Sequence, residues 1–457
     1  MKGDRMKKPL EPPDMAQLLS EIADDPRRLL KVFSEGRPVD DKGRYLHWDQ
    51  MRHRTPPDGL TSREWWAGTA ASRANSARIL PFAGTDGEPF RFTNIDRIQE
   101  MVHRIDQQAS GRIETDDIVA NVGSRNRYLV SSLVEEAITS SLLEGAATTR
   151  RVAKELLRTH RAPRDTSERM ILNNYLAMRM AQEIAGSGEP LVPDHVLELH
   201  RIVTEGTIDD ESESGRLQEP GEGRVVVEWD HAQILHVPPP AEELPARLEQ
   251  FCAFANGDVG AGFLHPVVRA ILLHFWIGYD HPFIDGNGRT ARALFYWSML
   301  RSGYWLAQYI SISAILRKSL NEYVLSYLYT ETDSNDVTYF VIHQLEVLER
   351  AVEELRTYLG RRVSEISEVE KLLRGVPDLN HRQLAVIGEA LRNPDAYFTI
   401  AGHERVHRVA YQSARTDLLG LQNLGVFRRI QSGKKFEFWP VDDLSDQLRA
   451  LADELHR

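Results

Sequence analysis

Residues 281–292 read His281-Pro282-Phe283-Ile284-Asp285-Gly286-Asn287-Gly288-Arg289-Thr290-Ala291-Arg292. One loop and the turn after it thus hold an imidazole, a carboxylate, two glycines flanking an amide, and two guanidinium groups. Upstream, Pro266–Ile277 is strongly apolar (Val267, Val268, Ile271, Leu272, Leu273, Phe275, Trp276), which predicts a buried helix opened by Pro266. Gly278 supplies a stop. Downstream, Ala291, Leu294, Phe295, Trp297 and Leu300 predict a second helix ending near Gly303. The stretch is therefore a helix–loop–helix, with Gly286-Asn287-Gly288 where the second helix begins.

A helix start leaves backbone N–H groups unpaired at a positive dipole end, which suits an anion. Glycines let that backbone curl around a phosphate. Arg289 and Arg292 fall on one face three residues apart, and each can grip phosphate oxygens with a planar fork. Asp285, just before the turn, is placed to hold a Mg²⁺ that bridges two phosphates. His281 titrates near neutrality, so it can accept a hydroxyl proton. Phe283 is the expected anchor of the loop in the core. The pattern points to an enzyme that holds a polyphosphate and deprotonates a nucleophile beside it.

The string resembles the signature of the Fic family, His-Pro-Phe-x-(Asp/Glu)-Gly-Asn-Gly-Arg-x-x-Arg, with every fixed position matched. The resemblance implies an all-helical core and transfer of AMP from ATP onto a protein Ser, Thr or Tyr hydroxyl. It makes His281 the base and Asp285 the Mg²⁺ ligand, and gives the nucleotide phosphates to Gly286, Asn287, Gly288, Arg289, Thr290 and Arg292. Related Doc kinases carry Ala and Lys where this chain has Gly286 and Gly288, which favours attack at the α-phosphorus here. Two alternatives stay open: a Fic enzyme that transfers or removes another phosphate-linked group, and a DNA-binding regulator that uses the core as a nucleotide sensor.

Upstream, Ser140-Ser141-Leu142-Leu143-Glu144-Gly145 ends a helical stretch over 129–145, with Ser140 and Glu144 four apart on one face. It resembles the inhibitory motif of Fic proteins, (Ser/Thr)-x-x-x-Glu-(Gly/Asn), in the N-terminal position of the family's second regulatory class. The resemblance pairs Glu144 with Arg292, where a carboxylate competes with the γ-phosphate for one guanidinium. Between the two motifs, Val225–Val227 and Ile234–Val237 are β-rich runs around Asp230-His231, and Pro238-Pro239-Pro240 fixes an extended exit. They predict a hairpin, which the resemblance makes a flap near 224–238 that aligns a target protein by strand addition. Ile312-Ser313 and Tyr323 fall where relatives contact adenine. Many relatives have two adjacent tyrosines there, whereas Tyr323 is followed by Val324.

The chain of 457 residues predicts a mainly α protein of two or three domains. Expected are an N-terminal region over 1–115 that is mostly helical and of unclear role, a catalytic core over 116–360, and a separate module over 365–445. In the first region Met15–Phe33 reads as helical, Trp48, Trp65 and Trp66 as a packed layer, and Gly84–Pro89 as a turn. A net charge of −11 argues against a nucleic-acid coat or a membrane-surface protein. No apolar run approaches about 18 residues, and the basic N-terminus is followed by no apolar stretch, so neither a membrane span nor a secretory signal is expected. The single cysteine, Cys252, reads as a core residue in a reducing cytoplasm. Sixteen histidines include no His-Glu-x-x-His spacing, so no zinc site is read. A homodimer is left open.

The tail has its own character. Asn380–Leu391, a short helix after Phe398, and Tyr411–Leu424 read as three helices, and Val426–Trp439 alternates about Ser432-Gly433 as a hairpin does. That order resembles a winged helix-turn-helix. A DNA reader of this kind would face the groove with Arg415 and Thr416 and meet phosphates with Arg428, Arg429, Lys434 and Lys435, while Glu404, Asp417 and Glu437 dilute its positive field.

Overall fold

The computed structural model describes residues 7–57, 59–109, 122–159, 161–224, 227–229, 233–259, 262–373, 379–392, 396–432 and 435–455. The chain is mainly helical, and its strands form three separate two-stranded antiparallel hairpins among the described residues. By packing, the described residues of Met1–Arg112 and Leu129–Val352 form one unit, and those of Ile113–Tyr128 and Glu353–Arg457 another. The described residues of Met1–Arg112 and the motif helices therefore fall in one unit.

Two helices make the centre of the first unit. Pro266–Asp280, the entry helix, has Pro266 in its first turn after His265, whose ring accepts the Val267 N–H. Asn287–Arg301, the motif helix, starts from Gly286. Both are buried nearly all round; the entry helix is mostly apolar, whereas the motif helix buries Asn287, Arg289, Thr290 and Arg292 in its first two turns. The entry helix does not stop at Gly278 but continues to Asp280. Gly278 serves close packing instead: a Cβ there would run into the Tyr327 hydroxyl and lie 3.0 Å from its Cζ. The stop falls on His281, which takes a left-handed conformation at φ 44°.

Other elements of the unit pack on this pair or form a cluster of their own. Met15–Phe33 is two helices, Met15–Ile22 and Pro26–Glu35, because Asp25 caps the second by accepting from Arg27 and Arg28 N–H, and Pro26 opens it. Trp48, Trp65 and Trp66 are buried in one cluster with Leu18 and Val32. A hairpin of Arg78–Ala83 and Pro89–Phe92 encloses the expected turn at Gly84–Pro89. These strands were not expected. The signal was the alternation of buried Leu80 and Phe82, and Phe82 stacks on Trp276 at 4.1 Å between centroids. Cys252 is buried in helix Leu244–Asn256, where burial pushes its thiol up to about 12. Helix Val122–Leu143 ends one residue before Glu144, and Gly145 at φ 93° completes the turn. Among the described residues no helix is long and apolar enough to cross a membrane.

The second unit contains helices His381–Arg392, Ile400–His407 and Tyr411–Asn423, then strands Phe427–Ser432 and Lys435–Pro440. The hairpin runs in register from Phe427 opposite Pro440 to Ser432 opposite Lys435. A further helix, Leu444–Leu455, was not expected, although Leu444, Leu448 and Ala452 repeat every four residues and are buried. Asp417 is not a surface charge, as expected from sequence. It is buried, 2.7 Å from Arg382 and 3.0 Å from His403, and accepts from Asn380. It ties helix Tyr411–Asn423 to Asn380, Arg382 and His403.

Gly278→Ala is expected to cost about 1–3 kcal/mol, because the added methyl overpacks the seam with Tyr327. Denaturant unfolding reads this directly, and an unchanged midpoint would show that the seam has slack.

Candidate nucleotide site

A residue without glycine's freedom pays about 1–2 kcal/mol to sit in the left-handed region, so His281 needs restraint from its surroundings. Its own N–H donates to the Ile277 carbonyl at 3.0 Å. The carbonyls around it find donors outside the loop. His236 Nε2 lies 2.7 Å from the Tyr279 oxygen, and Arg224 Nη2 donates to the oxygens of Asp280 at 2.7 Å and His281 at 3.0 Å. The Gln218 N–H donates to the Pro282 oxygen at 3.0 Å. The Asp280 side chain is buried as well. Burial pushes its carboxyl upward, against the Arg247 fork at 2.7 and 3.0 Å and the Trp276 N–H at 2.8 Å.

Beyond the imidazole the loop is pinned from two sides. Phe283 is fully buried and stacks on His200, with centroids 3.7 Å apart and planes 6° from parallel. Nδ1 of His200 accepts the Gly215 N–H, so Nε2 carries the proton and donates to the Asp285 carbonyl at 2.9 Å. Burial lowers His200 to about 4, which keeps it neutral for this task. Asn287 uses both ends of its amide on the Phe283 main chain, at 3.0 and 2.8 Å. Its side chain thus holds the loop together, and only its main chain is free for a phosphate. Gly286 begins the motif helix at φ 78° with no side-chain cap, and a Cβ there would sit 2.8 Å from Thr204 Cγ2.

The charged groups divide by burial. Arg289 is 1% exposed, donates to the Val203 carbonyl at 2.6 Å and to Asp285 at 2.9 Å, and its Nε is buried with no partner among the described residues. Asp285 keeps a side chain 56% exposed beside it. Arg292 is 2% exposed and reaches helix Val122–Leu143 and the turn beyond: Nε donates to Ser140 Oγ at 2.8 Å and Nη2 to Glu144 at 2.8 Å. Burial opposes the Arg292 charge, but Glu144 holds its pKa above the ordinary value. Gly288 makes room for this pair, since a Cβ would strike the Glu144 carboxylate and come within 3.0 Å of Arg292.

The remaining expected residues are placed less openly. Thr290 is fully buried, its hydroxyl without a partner among the described residues. The Tyr323 hydroxyl is 3.1 Å from His274 Nε2 and 3.4 Å from Tyr327, within an aromatic cluster that also includes Phe340. Ser313 and Ser311 both donate to Glu136, a buried carboxylate on helix Val122–Leu143 that sequence reading passed over. His281 is half-buried; burial, then His236 and Arg224, lower it to about 3, so the ring is neutral at ordinary pH. The flap pairs Val227–Trp229 with Gln233–His236, while Val225, Val226, Asp230, His231 and Ala232 lie outside the described residues. Ile234 and Val237 are exposed on it.

The loop and the helix start after it therefore carry a neutral imidazole, an exposed carboxylate and an uncapped helix N-terminus, and Gly288 in that first turn lies beside a buried guanidinium held by a partly exposed glutamate. No cluster of three or more His, Cys, Asp or Glu side chains suited to a metal occurs among the described residues. The single Asp285 carboxylate still fits Mg²⁺ that takes its other ligands from phosphates and water.

Residues 190–299 match the Fic/DOC family. Among curated proteins, the "Protein adenylyltransferase Fic" of Drosophila willistoni is 38% identical over 112 residues, 24% of this chain and 20% of that protein. The protein of the same name from Drosophila yakuba is 29% identical over 222 residues, 46% of this chain and 42% of its own length. The chain thus spans less than half the length of these relatives. A Fic family protein from Desulfovibrio desulfuricans superposes with a TM-score of 0.49 at 18% identity, covering 77% of this chain and 98% of that one. A Fic-domain signaling protein from Bacteroides thetaiotaomicron gives 0.44 at 21% identity, covering 57% and 96%.

Proposed function

We propose that the first unit is a Mg-ATP-dependent protein adenylyltransferase restrained by Glu144. The observation that carries this reading is Arg292 held by Glu144 at 2.8 Å beside Gly288, in the first turns of an uncapped helix that directly follows the His281 loop. Phosphate oxygens would take the N–H groups of the first turn at Asn287, Gly288 and Arg289, and Arg292 would take the γ-phosphate. Asp285 would hold Mg²⁺, which neutralises phosphate charge when bound. Arg289 keeps Asp285 in place. Tyr323 and Ser313 act as the wall behind the adenine, with their hydroxyls already engaged.

The transfer balances simply. A target hydroxyl oxygen bonds to the α-phosphorus, its proton passes to the neutral ring of His281, and the bond to the bridging oxygen breaks, releasing pyrophosphate. The target would lie along the flap near 224–238, its main chain adding to a strand whose exposed side chains include Ile234 and Val237. Glu144 restrains the reaction by occupying Arg292, so the γ-phosphate finds its cation taken and meets a like charge. A reducing cytoplasm fits the lone, buried cysteine.

We read the second unit as a winged helix-turn-helix that binds DNA. Arg415 and Thr416 are exposed on helix Tyr411–Asn423, and Arg428, Arg429 and Lys435 are exposed on the hairpin; Lys434 lies outside the described residues. These exposed basic side chains are what supports the reading.

Two measurements test these readings. Glu144→Gly protein incubated with Mg-ATP is expected to gain a mass matching AMP on a Ser, Thr or Tyr, and adding His281→Ala should cut the rate about 10²–10⁴-fold. An unmodified Glu144→Gly protein would refute the transfer. In a gel shift, four basic hairpin residues predict affinity falling with salt at a log–log slope of about −3 to −4. Binding that is absent or indifferent to salt removes DNA as the partner.

A further inference from the structure

The flap and the segment leading into it do more than border the catalytic loop. From Tyr279 to Pro282, four consecutive carbonyls accept from three residues of that segment: His236, Arg224 for two, and Gln218 through its main chain. Arg224 is the hub. Besides its two loop carbonyls it donates through Nε to the Pro239 carbonyl at 2.7 Å, and Nη1 donates to the Gln218 side chain. Gln218 in turn donates to the Gly223 carbonyl at 3.2 Å. One guanidinium thus joins the start of the flap, its proline exit and the backbone of the proposed base. Nη2 alone serves both adjacent carbonyls while Nε and Nη1 hold Pro239 and Gln218, a planar three-way anchorage that a lysine ammonium cannot reproduce.

We propose that Arg224 is a positioning residue that holds His281 in its left-handed backbone and couples its aim to the state of the flap. The residue touches no reacting atom; it acts through the carbonyls of Asp280 and His281. Val227, where the flap strand begins, is three residues away, so a target strand pairing with the flap tightens the segment that grips the base. The proposal rests on His281 being the base of the transfer. It also accounts for a cation beside an imidazole that must accept a proton: Arg224 opposes protonation of the ring, and its placement is explained by the backbone it restrains.

The test uses the full chain with Glu144→Gly, alone and with Arg224→Ala or Arg224→Lys. Hydrogen exchange needs no activity. Arg224→Ala should speed exchange across 281–285 about tenfold, while exchange in the motif helix stays as before. Where transfer is measured, kcat should fall about 100-fold with KM for ATP within about threefold, and Arg224→Lys should recover part of it. Unchanged exchange over 281–285 overturns the proposal whatever the activity, as does a rise in KM with kcat retained. Faster exchange in a Glu144→Gly background that never transfers AMP upholds the restraint and sinks the adenylyltransferase reading instead.

Discussion

A helix that ends on a histidine in the left-handed region, with no glycine to ease the turn, must have its carbonyls satisfied by groups from elsewhere. This constraint organises the first unit. The carbonyls from Tyr279 to Phe283, and that of Asp285, are met in turn by His236, Arg224, Gln218, Asn287 and His200. An unpaired buried carbonyl costs on the order of 1–3 kcal/mol, so this set of donors leaves the loop little freedom to take another shape. The same contacts draw in the flap on one side and helix Pro193–Thr204 on the other, which is why a loop so rich in polar groups can sit against an apolar helix pair.

A second constraint is electrostatic. Arg292 has almost no exposure, and a buried cation stripped of its partner costs several kcal/mol. Some anion must therefore stand at that fork. In this structure the anion is Glu144, whose side chain is about a third exposed and hinged on the turn after its helix. On the function proposed above, release of the glutamate and arrival of a phosphate are two halves of one exchange. Gly288 is the steric counterpart: only hydrogen fits where the carboxylate lies. Ser140 holds Nε of the same arginine, so the fork stays aimed whichever anion it holds.

How much of this was legible in the sequence depended on whether a residue acts locally. Pro266, Gly286 and the apolar runs around them act on their own neighbours, and the helix–loop–helix followed from them. Ser140, Glu144 and Arg292 were brought together by two motifs, although 148 positions separate the ion pair. Gly278 misled because glycine serves equally as a stop or as a close contact, and Tyr327 that decides between them is far along the chain. Met15–Phe33 is helical as its apolar periodicity implies, and the Asp25-Pro26 pair divides it in two. His200, Glu136 and Arg224 left no signal, since a lone His, Glu or Arg in a polar stretch reads as a solvated side chain until its buried partner is known. Asn287, Thr290 and Tyr323 show the reverse: a motif names them, and packing has already occupied the Asn287 amide and the Tyr323 hydroxyl and buried that of Thr290.

The account stands on the imidazole, the motif-helix start and Arg292 sharing one triphosphate. A crystal structure of the Glu144→Gly protein with Mg²⁺ and a non-hydrolysable ATP analogue tests that sharing most directly. It should put the phosphates against the first turn of Asn287–Arg301, the γ-phosphate on Arg292 and the α-phosphorus nearest His281. A nucleotide bound elsewhere, or an Arg292 fork turned from the phosphates, would contradict it.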